Sequence, residues 1–189
     1  MNVSALHPVH FPDFVSSERV ILKRHVETLA KLMFKAIDED RTRLGSYLPW
    51  VKFTQSEKDT LNYLQMADDA WERHERFDYG LFRKSDGQYL GNVGVHMISW
   101  THRKCEMGYW LTSKGEGQGY VSEAVVALEQ HLFSIGFHRI EVRCSTANER
   151  SARVTERCGY QLEGTFTEDA IENGHYRSTR IFAKINPVK

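Results

Sequence analysis

Residues suited to chemistry fall in three places along the chain. The first is Lys114-Gly115-Glu116-Gly117-Gln118-Gly119, where glycine recurs at every second position. Ahead of it, Gly108-Tyr109-Trp110-Leu111 reads as the end of a buried strand. After it, Val121, Ala124, Val125, Leu128 and Leu132 form the apolar stripe of a helix. A helix start carries free N–H groups and the positive end of the helix dipole, and glycines let the backbone approach a ligand closely. Such a turn cradles an anion, most often a phosphate or pyrophosphate. A plain strand-to-helix turn has the same spacing, so the glycines alone leave both readings open. The second place is Asn148-Glu149-Arg150-Ser151, the polar start of a short helix closed by Cys158-Gly159-Tyr160. Asn148 suits a helix cap, and Ser151 an ordinary early-helix position. The third place holds the acids: Glu106 on a strand, and Glu168 beside Asp169 near the last hairpin. Taken alone, each reads as a surface charge.

The elements that must position these residues are legible in order. Residues 1–16 form a lead-in with Pro8 and Pro12, and residues 17–189 form one domain, a length sufficient for a stable core. Arg19–Arg24 is a strand, and His25–Ile37 keeps helical spacing. The connector from Leu44 to Phe53 is aromatic; its Tyr47, Trp50 and Phe53 are either core lids or the wall of a pocket, and Tyr47 and Trp50 are the substrate-binding candidates. Ser56 and Asp59 resemble a capping box ahead of a helix to about Glu75. Strands follow at Tyr79–Arg83, Tyr89–Ser99 and Cys105–Leu111, with Val93, Val95 and Met97 alternating against Asn92, Gly94 and His96. Gly136 closes the central helix. Arg139–Ser145 is a strand, Asn148–Cys158 a helix, and Tyr160–Thr167 and Tyr176–Ile185 the last strands, joined through Asn173-Gly174. The order gives an α+β mixed sheet with helices on its faces.

Composition narrows the function. Lys plus Arg and Asp plus Glu number 25 each, so no bulk basic field exists for nucleic acid or an anionic membrane, and an anionic ligand must be caught locally. No apolar run reaches the ~18 residues of a membrane span, and the N-terminus lacks the regions of a signal peptide. Three widely spaced cysteines, Cys105, Cys144 and Cys158, read as reduced thiols of a cytoplasmic protein. His7 and His10 lie in the lead-in and are not read as a metal site. No GK[ST] follows the glycines, which disfavours a nucleotide P-loop, and no acid is clearly placed for a dinucleotide fold.

Taken together, Gly108-Tyr109-Trp110-Leu111, Glu116-Gly117-Gln118-Gly119, Asn148…Ser151 and Gly159-Tyr160 resemble the GCN5-related N-acetyltransferase (GNAT) superfamily. The nearest branch is that of the ribosomal-protein N-terminal (alanine/serine) acetyltransferases; Leu48-Pro49-Trp50, Tyr89-Leu90-Gly91 and Asn173-Gly174 agree with it. The resemblance spans roughly residues 17 to 186. It implies a mixed, mostly antiparallel, twisted sheet of about six to seven strands, with helices on both faces and a splayed central strand pair. It implies acetyl-CoA as co-substrate, no metal, and a homodimer by analogy with that branch. Trp110, Leu111 and Thr112 would lie along the pantetheine arm. The signature Q/R-x-x-G-x-G/A falls on Glu116 to Val121, with Glu116 replacing Gln or Arg and Val121 replacing Gly or Ala. The pyrophosphate would then rest on backbone N–H groups of Gly117, Gly119, Tyr120 and Val121, with Gln118 between them. Ser122 could add a hydroxyl and Lys114 a charge. By the same resemblance Asn148 bonds the pantetheine arm and Ser151 sits by the CoA sulfur, placed to protonate the thiolate. The general base is Glu168 or Glu106, with Glu168 favoured; the branch often has Asp where Ser178 stands here. The implied reaction is direct attack by a primary amine, an N-terminal α-amine of a (ribosomal) protein. The alternatives are a polyamine or aminoglycoside acceptor, and a non-catalytic acyl-CoA-binding module.

Overall fold

The computed structural model describes residues 7–172 and 174–187. Eight strands make one sheet: β1 (Phe14–Ser16), β2 (Val20–Arg24), β3 (Phe77–Arg83), β4 (Tyr89–Ser99), β5 (Lys104–Leu111), β6 (Arg139–Ser145), β7 (Gln161–Glu172) and β8 (His175–Ile185). Their spatial order is β1-β2-β3-β4-β5-β6-β8-β7. Neighbours run antiparallel except β5 and β6, which are parallel. The helices are α1 (Ala30–Glu39), α2 (Arg41–Gly45), α3 (Glu57–Glu72), α4 (Tyr120–Ser134) and α5 (Glu149–Arg157).

The strand beyond the expected six to seven is β1, which lies in the lead-in. Phe14 pairs with Lys23 of β2. Just ahead of it Phe11 is fully buried, its ring stacked 3.5 Å from that of Phe77. Burial of this one aromatic side chain draws the segment onto the sheet. Residues 1–6 of the lead-in lie outside the described residues, as does Asn173 of the Asn173-Gly174 turn between β7 and β8.

Local chemistry accounts for most element ends. The Ser56 hydroxyl accepts the Asp59 N–H at 3.2 Å while the Asp59 carboxylate accepts the Gln55 N–H at 2.9 Å, which is the anticipated cap of α3. Gly136, at φ +102°, ends α4. Two short 3₁₀ turns carry no periodic signal in the sequence. A 3₁₀ turn over Glu27–Leu29 precedes α1. The aromatic connector contains the end of α2 and a second 3₁₀ turn, Pro49–Phe53, which Pro49 suits because its missing N–H is not needed there.

Each face of the sheet carries its own core. On one side α4 and α5 cover residues including Val93, Val95, Met107 and Val142. On the other, α1, α3 and the connector pack Met33, Ile37, Leu64 and Val51 against Tyr89, with Trp50 and Trp110 alongside. Alternation along β4 and β5 sends Val93, Val95 and Met107 to the first face and Asn92, Gly94, His96, Glu106 and Trp110 to the second.

Candidate active site

The sheet opens between β5 and β6. Pairing covers only Lys104↔Arg139, Cys105↔Ile140 and Glu106↔Glu141. Beyond that the rest of β5, through Leu111, and the rest of β6, through Ser145, diverge, leaving strand edges whose peptide groups can pair with an extended ligand. The glycine-rich turn stands at the end of this opening. Gly117 (φ +73°) and Gly119 (φ +78°) both adopt the left-handed conformation that side chains disfavour. Gly119 is the N-cap of α4 and offers no side chain as a cap. The Glu123 N–H bonds the Gly119 carbonyl at 3.1 Å, so the amides of Tyr120, Val121 and Ser122 stay outside the helical ladder. They are the donors an anion would use.

Side chains frame this turn. Arg19 donates to the Gln118 carbonyl at 3.0 Å and pairs with Glu123 at 2.7 Å. Glu116 is neutralised on both oxygens, by Arg43 of α2 at 2.6 Å and Arg150 of α5 at 2.5 Å. Lys114 is occupied elsewhere, paired with Glu39 at 2.7 Å.

Within the opening a group of hydroxyls meets. The Tyr109 hydroxyl lies 3.1 Å from Ser151 Oγ and 3.0 Å from Thr155 Oγ1. Burial pushes the Tyr109 phenol up to about 12, against the opposing hydrogen bonds from Ser151 and Thr155. It therefore keeps its proton at neutral pH. Asn148 caps α5 by accepting the Ser151 N–H at 3.1 Å, which fixes the turn that carries Ser151.

From Ser151 a cavity of about 720 Å³ runs across the sheet beneath α1, α3 and the connector. Its walls are mainly apolar, with Trp50, Trp110, Phe53 and Met33, and its floor carries ionisable groups. Glu106 and His96 face each other on paired strands. Burial raises the Glu106 pKa, opposed by Arg143, whose guanidinium sits 3.1 Å away. Burial lowers that of His96, so its ring is neutral near pH 7. Further along, the Asp78 carboxylate accepts from Tyr63 at 2.9 Å and pairs with Arg76. Asp78, Gly94 and Gly108 stand opposite one another on three strands. A Cβ on Gly94 would lie 2.0 Å from Asp78 Oδ1, and one on Gly108 3.0 Å from His96 Nε2. Both positions need glycine to keep this trough open.

The structure brings together many of the residues singled out in the sequence. Ser151, Glu106, Trp50 and Trp110 line one cavity. Leu111, Thr112, the turn from Gly117 to Ser122, and Asn148 border the strand opening and its end. Tyr47 bridges that opening from outside, donating to the Ala147 carbonyl at 3.2 Å. Glu168 stands apart from the cavity lining. It is exposed on β7 at φ +52°, in an irregular stretch, and its N–H donates to the Ser178 hydroxyl at 3.1 Å. Motif and spacing give no role to His96, Asp78, Arg43 or Arg150, all of which the structure brings to the site or its turn. For His96 a signal existed, because the polar set Asn92, Gly94 and His96 marks a strand face that does not belong to the apolar core. For the arginines none existed, since they reach the turn from helices 30 or more residues away in sequence. All three cysteines are buried and free. Among the described residues no cluster could hold a metal ion.

A family model described as an acetyltransferase (GNAT) domain matches residues 19–161. The chain is 29% identical over 170 residues to the ribosomal-protein-serine acetyltransferase of Escherichia coli (strain K12), covering 89% of this chain and 94% of that protein. Its fold is similar to that of RimL, a ribosomal L7/L12 α-N-protein acetyltransferase solved with coenzyme A. The TM-score is 0.89 at 22% identity, over 93% of this chain and 99% of the other. Mycobacterium smegmatis RimJ, solved with CoA-disulfide, aligns at TM-score 0.87 and 20% identity, over 93% and 88% of the two chains.

Proposed function

Because this chain belongs to the acetyltransferase (GNAT) domain family, we propose that residues 17–189 transfer acetyl from acetyl-CoA to a primary amine, the N-terminal α-amine of a ribosomal protein. The observation that carries this reading is the opening between β5 and β6, which ends on a glycine-built anion cradle and leads through Ser151 into the Glu106 cavity. The donor's parts fit the residues present. The edge of β5 that β6 leaves unpaired, at Trp110 and Leu111, with Thr112 just beyond it, suits the pantetheine amides. The free amides of Tyr120 and Val121 suit the diphosphate. The ribosomal acceptor is drawn from the relatives, above all the Escherichia coli ribosomal-protein-serine acetyltransferase. Such work would be done in the cytoplasm.

Acetyl-CoA supplies the activated acetyl group. The chain's residues handle protons and position. An α-amine with a pKa of about 7.7–8.0 must lose a proton to attack. Glu106, half-buried in the cavity with a raised pKa, is the base we assign, with the neutral His96 ring beside it. Glu168 is the lesser candidate because it is exposed and does not line the cavity. The Tyr109 and Ser151 hydroxyls stand in the opening to donate a proton to the departing thiolate. Trp50 and Trp110, with ring centres 5.8 Å apart, wall the acceptor side.

The test is a turnover assay with acetyl-CoA and three acceptors: a peptide with a free α-amine, the same peptide with that amine blocked, and spermidine. Turnover of the free peptide alone supports the reading. Preference for spermidine moves the acceptor to small amines. Acetyl-CoA binding without turnover of any amine would make the chain a binding module.

A further inference from the structure

Glu116 is out of place by simple electrostatics. A carboxylate next to a cradle for a diphosphate repels its ligand. In this chain each oxygen of that carboxylate is held by a guanidinium, Arg43 at 2.6 Å and Arg150 at 2.5 Å. The two arginines come from separate elements, α2 and α5, and both reach this acid. Arg43 carries further bonds, to the Leu111 carbonyl at 2.6 Å and to Asp40 at 2.9 Å, yet its buried Nε has no hydrogen-bond partner among the described residues. Arg150 is 74% exposed, so its pair with Glu116 is weak and easily exchanged. On the other side of the turn, the Gln118 carbonyl is turned to Arg19.

We propose that Glu116 is an internal stand-in for the diphosphate of acetyl-CoA: it holds Arg43 and Arg150 at the turn until the diphosphate takes both guanidiniums from it. This inference rests on the acetyl-CoA reading and adds to it two ligand-binding arginines from outside the glycine-rich turn. The exchange is favourable because a diphosphate offers more charge and more acceptor oxygens than one carboxylate, and guanidinium forks match both. The chain as a whole has no net charge to attract an anion, so the cations must be gathered locally. Glu116 gathers them and also competes for them, which limits affinity and speeds release.

The opposing roles give opposite effects on substitution. Glu116→Gln removes the competitor, and CoA binding measured by titration calorimetry tightens about threefold. Arg150→Met weakens it about tenfold, the worth of one hydrogen bond between charged groups. S-acetylpantetheine, which lacks the diphosphate, supplies the control. The ratio of kcat/KM for acetyl-CoA to that for S-acetylpantetheine rises in E116Q and falls in R150M. A purely structural role for the pair predicts instead weaker CoA binding in both variants, with both donors affected equally, and that result overturns the proposal. If the wild type binds neither CoA nor S-acetylpantetheine, the acetyl-CoA reading falls and this inference with it. If the wild type binds CoA and R150M binds it equally well, this inference alone falls.

Discussion

At the scale of single residues, the chemistry depends on burial setting proton affinities. Glu106 is charged only above its raised pKa, so under the proposed assignment it acts as a base only above that value. The acid limb of kcat/KM therefore lies above the ordinary carboxylate range. Glu106→Gln lowers kcat about a hundredfold and removes that limb. Arg143→Met, by removing the cation 3.1 Å away, moves the limb to higher pH. An unchanged profile in both variants would shift the base to Glu168 or to water. His25 gives a separate test through stability. It is 3% exposed, and burial lowers its pKa. A lowered histidine pKa contributes stability that is complete above about 6.5 and is lost as pH falls through that value toward the folded pKa. The thermal midpoint should drop between about pH 7 and 5, and His25→Leu should flatten that drop, as followed by calorimetry. Of these residues the sequence offers Glu106 and Ser151 through the family resemblance, which favours Glu168 over Glu106. That Glu106 is the less exposed of the two acids follows from packing, which strand position does not record.

At the scale of elements, the strand opening and the turn that ends it determine what binds. Each was legible in outline: the aromatic strand end, alternating glycines, helix stripe and Asn148 cap occur in the expected order. Periodicity could not reveal that β6 pairs with β5 over three residues only, because that depends on where the sheet twists apart. It also passed over α2 and the Pro49–Phe53 turn, too short to show a helical period. Acetyl-CoA should raise the thermal midpoint while NAD and ATP do not. Gly119→Asp should abolish that rise, since it sets an acid at φ +78° beside the anion cradle. Gly94→Ala acts on the acceptor instead. Its methyl would meet the Asp78 carboxylate at 2.0 Å, displacing it into the trough. Acceptor KM should rise with CoA affinity retained, and weakened CoA binding would show that the two halves of the site are not separable in this way.

At the scale of the whole molecule, one sheet divides the work between its faces. The α4 and α5 side supplies a dense core and the glycine-rich turn, and the α1 and α3 side leaves a cavity of about 720 Å³. Strands β5 and β6 part between them, and Tyr109 and Ser151 meet at that opening. The splayed strand pair came only with the family resemblance, while the class of fold and most of its element order were readable from the chain, because hydrophobic period and turn residues agree. The docking of the lead-in through Phe11 was not, since one buried aromatic in a proline-bearing segment has no period. Trp50 belongs to this scale, as the connector's contribution to the cavity wall. Trp50→Ala should raise the acceptor KM about tenfold with little change for acetyl-CoA, measured by varying each substrate in turn. The central claim, acetyl transfer to a protein N-terminus, is tested most directly by mass spectrometry of ribosomal proteins incubated with the enzyme and isotope-labelled acetyl-CoA. The expected result is label on the N-terminal α-amine of a ribosomal protein, lost with Glu106→Gln. Label confined to lysine side chains or to small amines would contradict it.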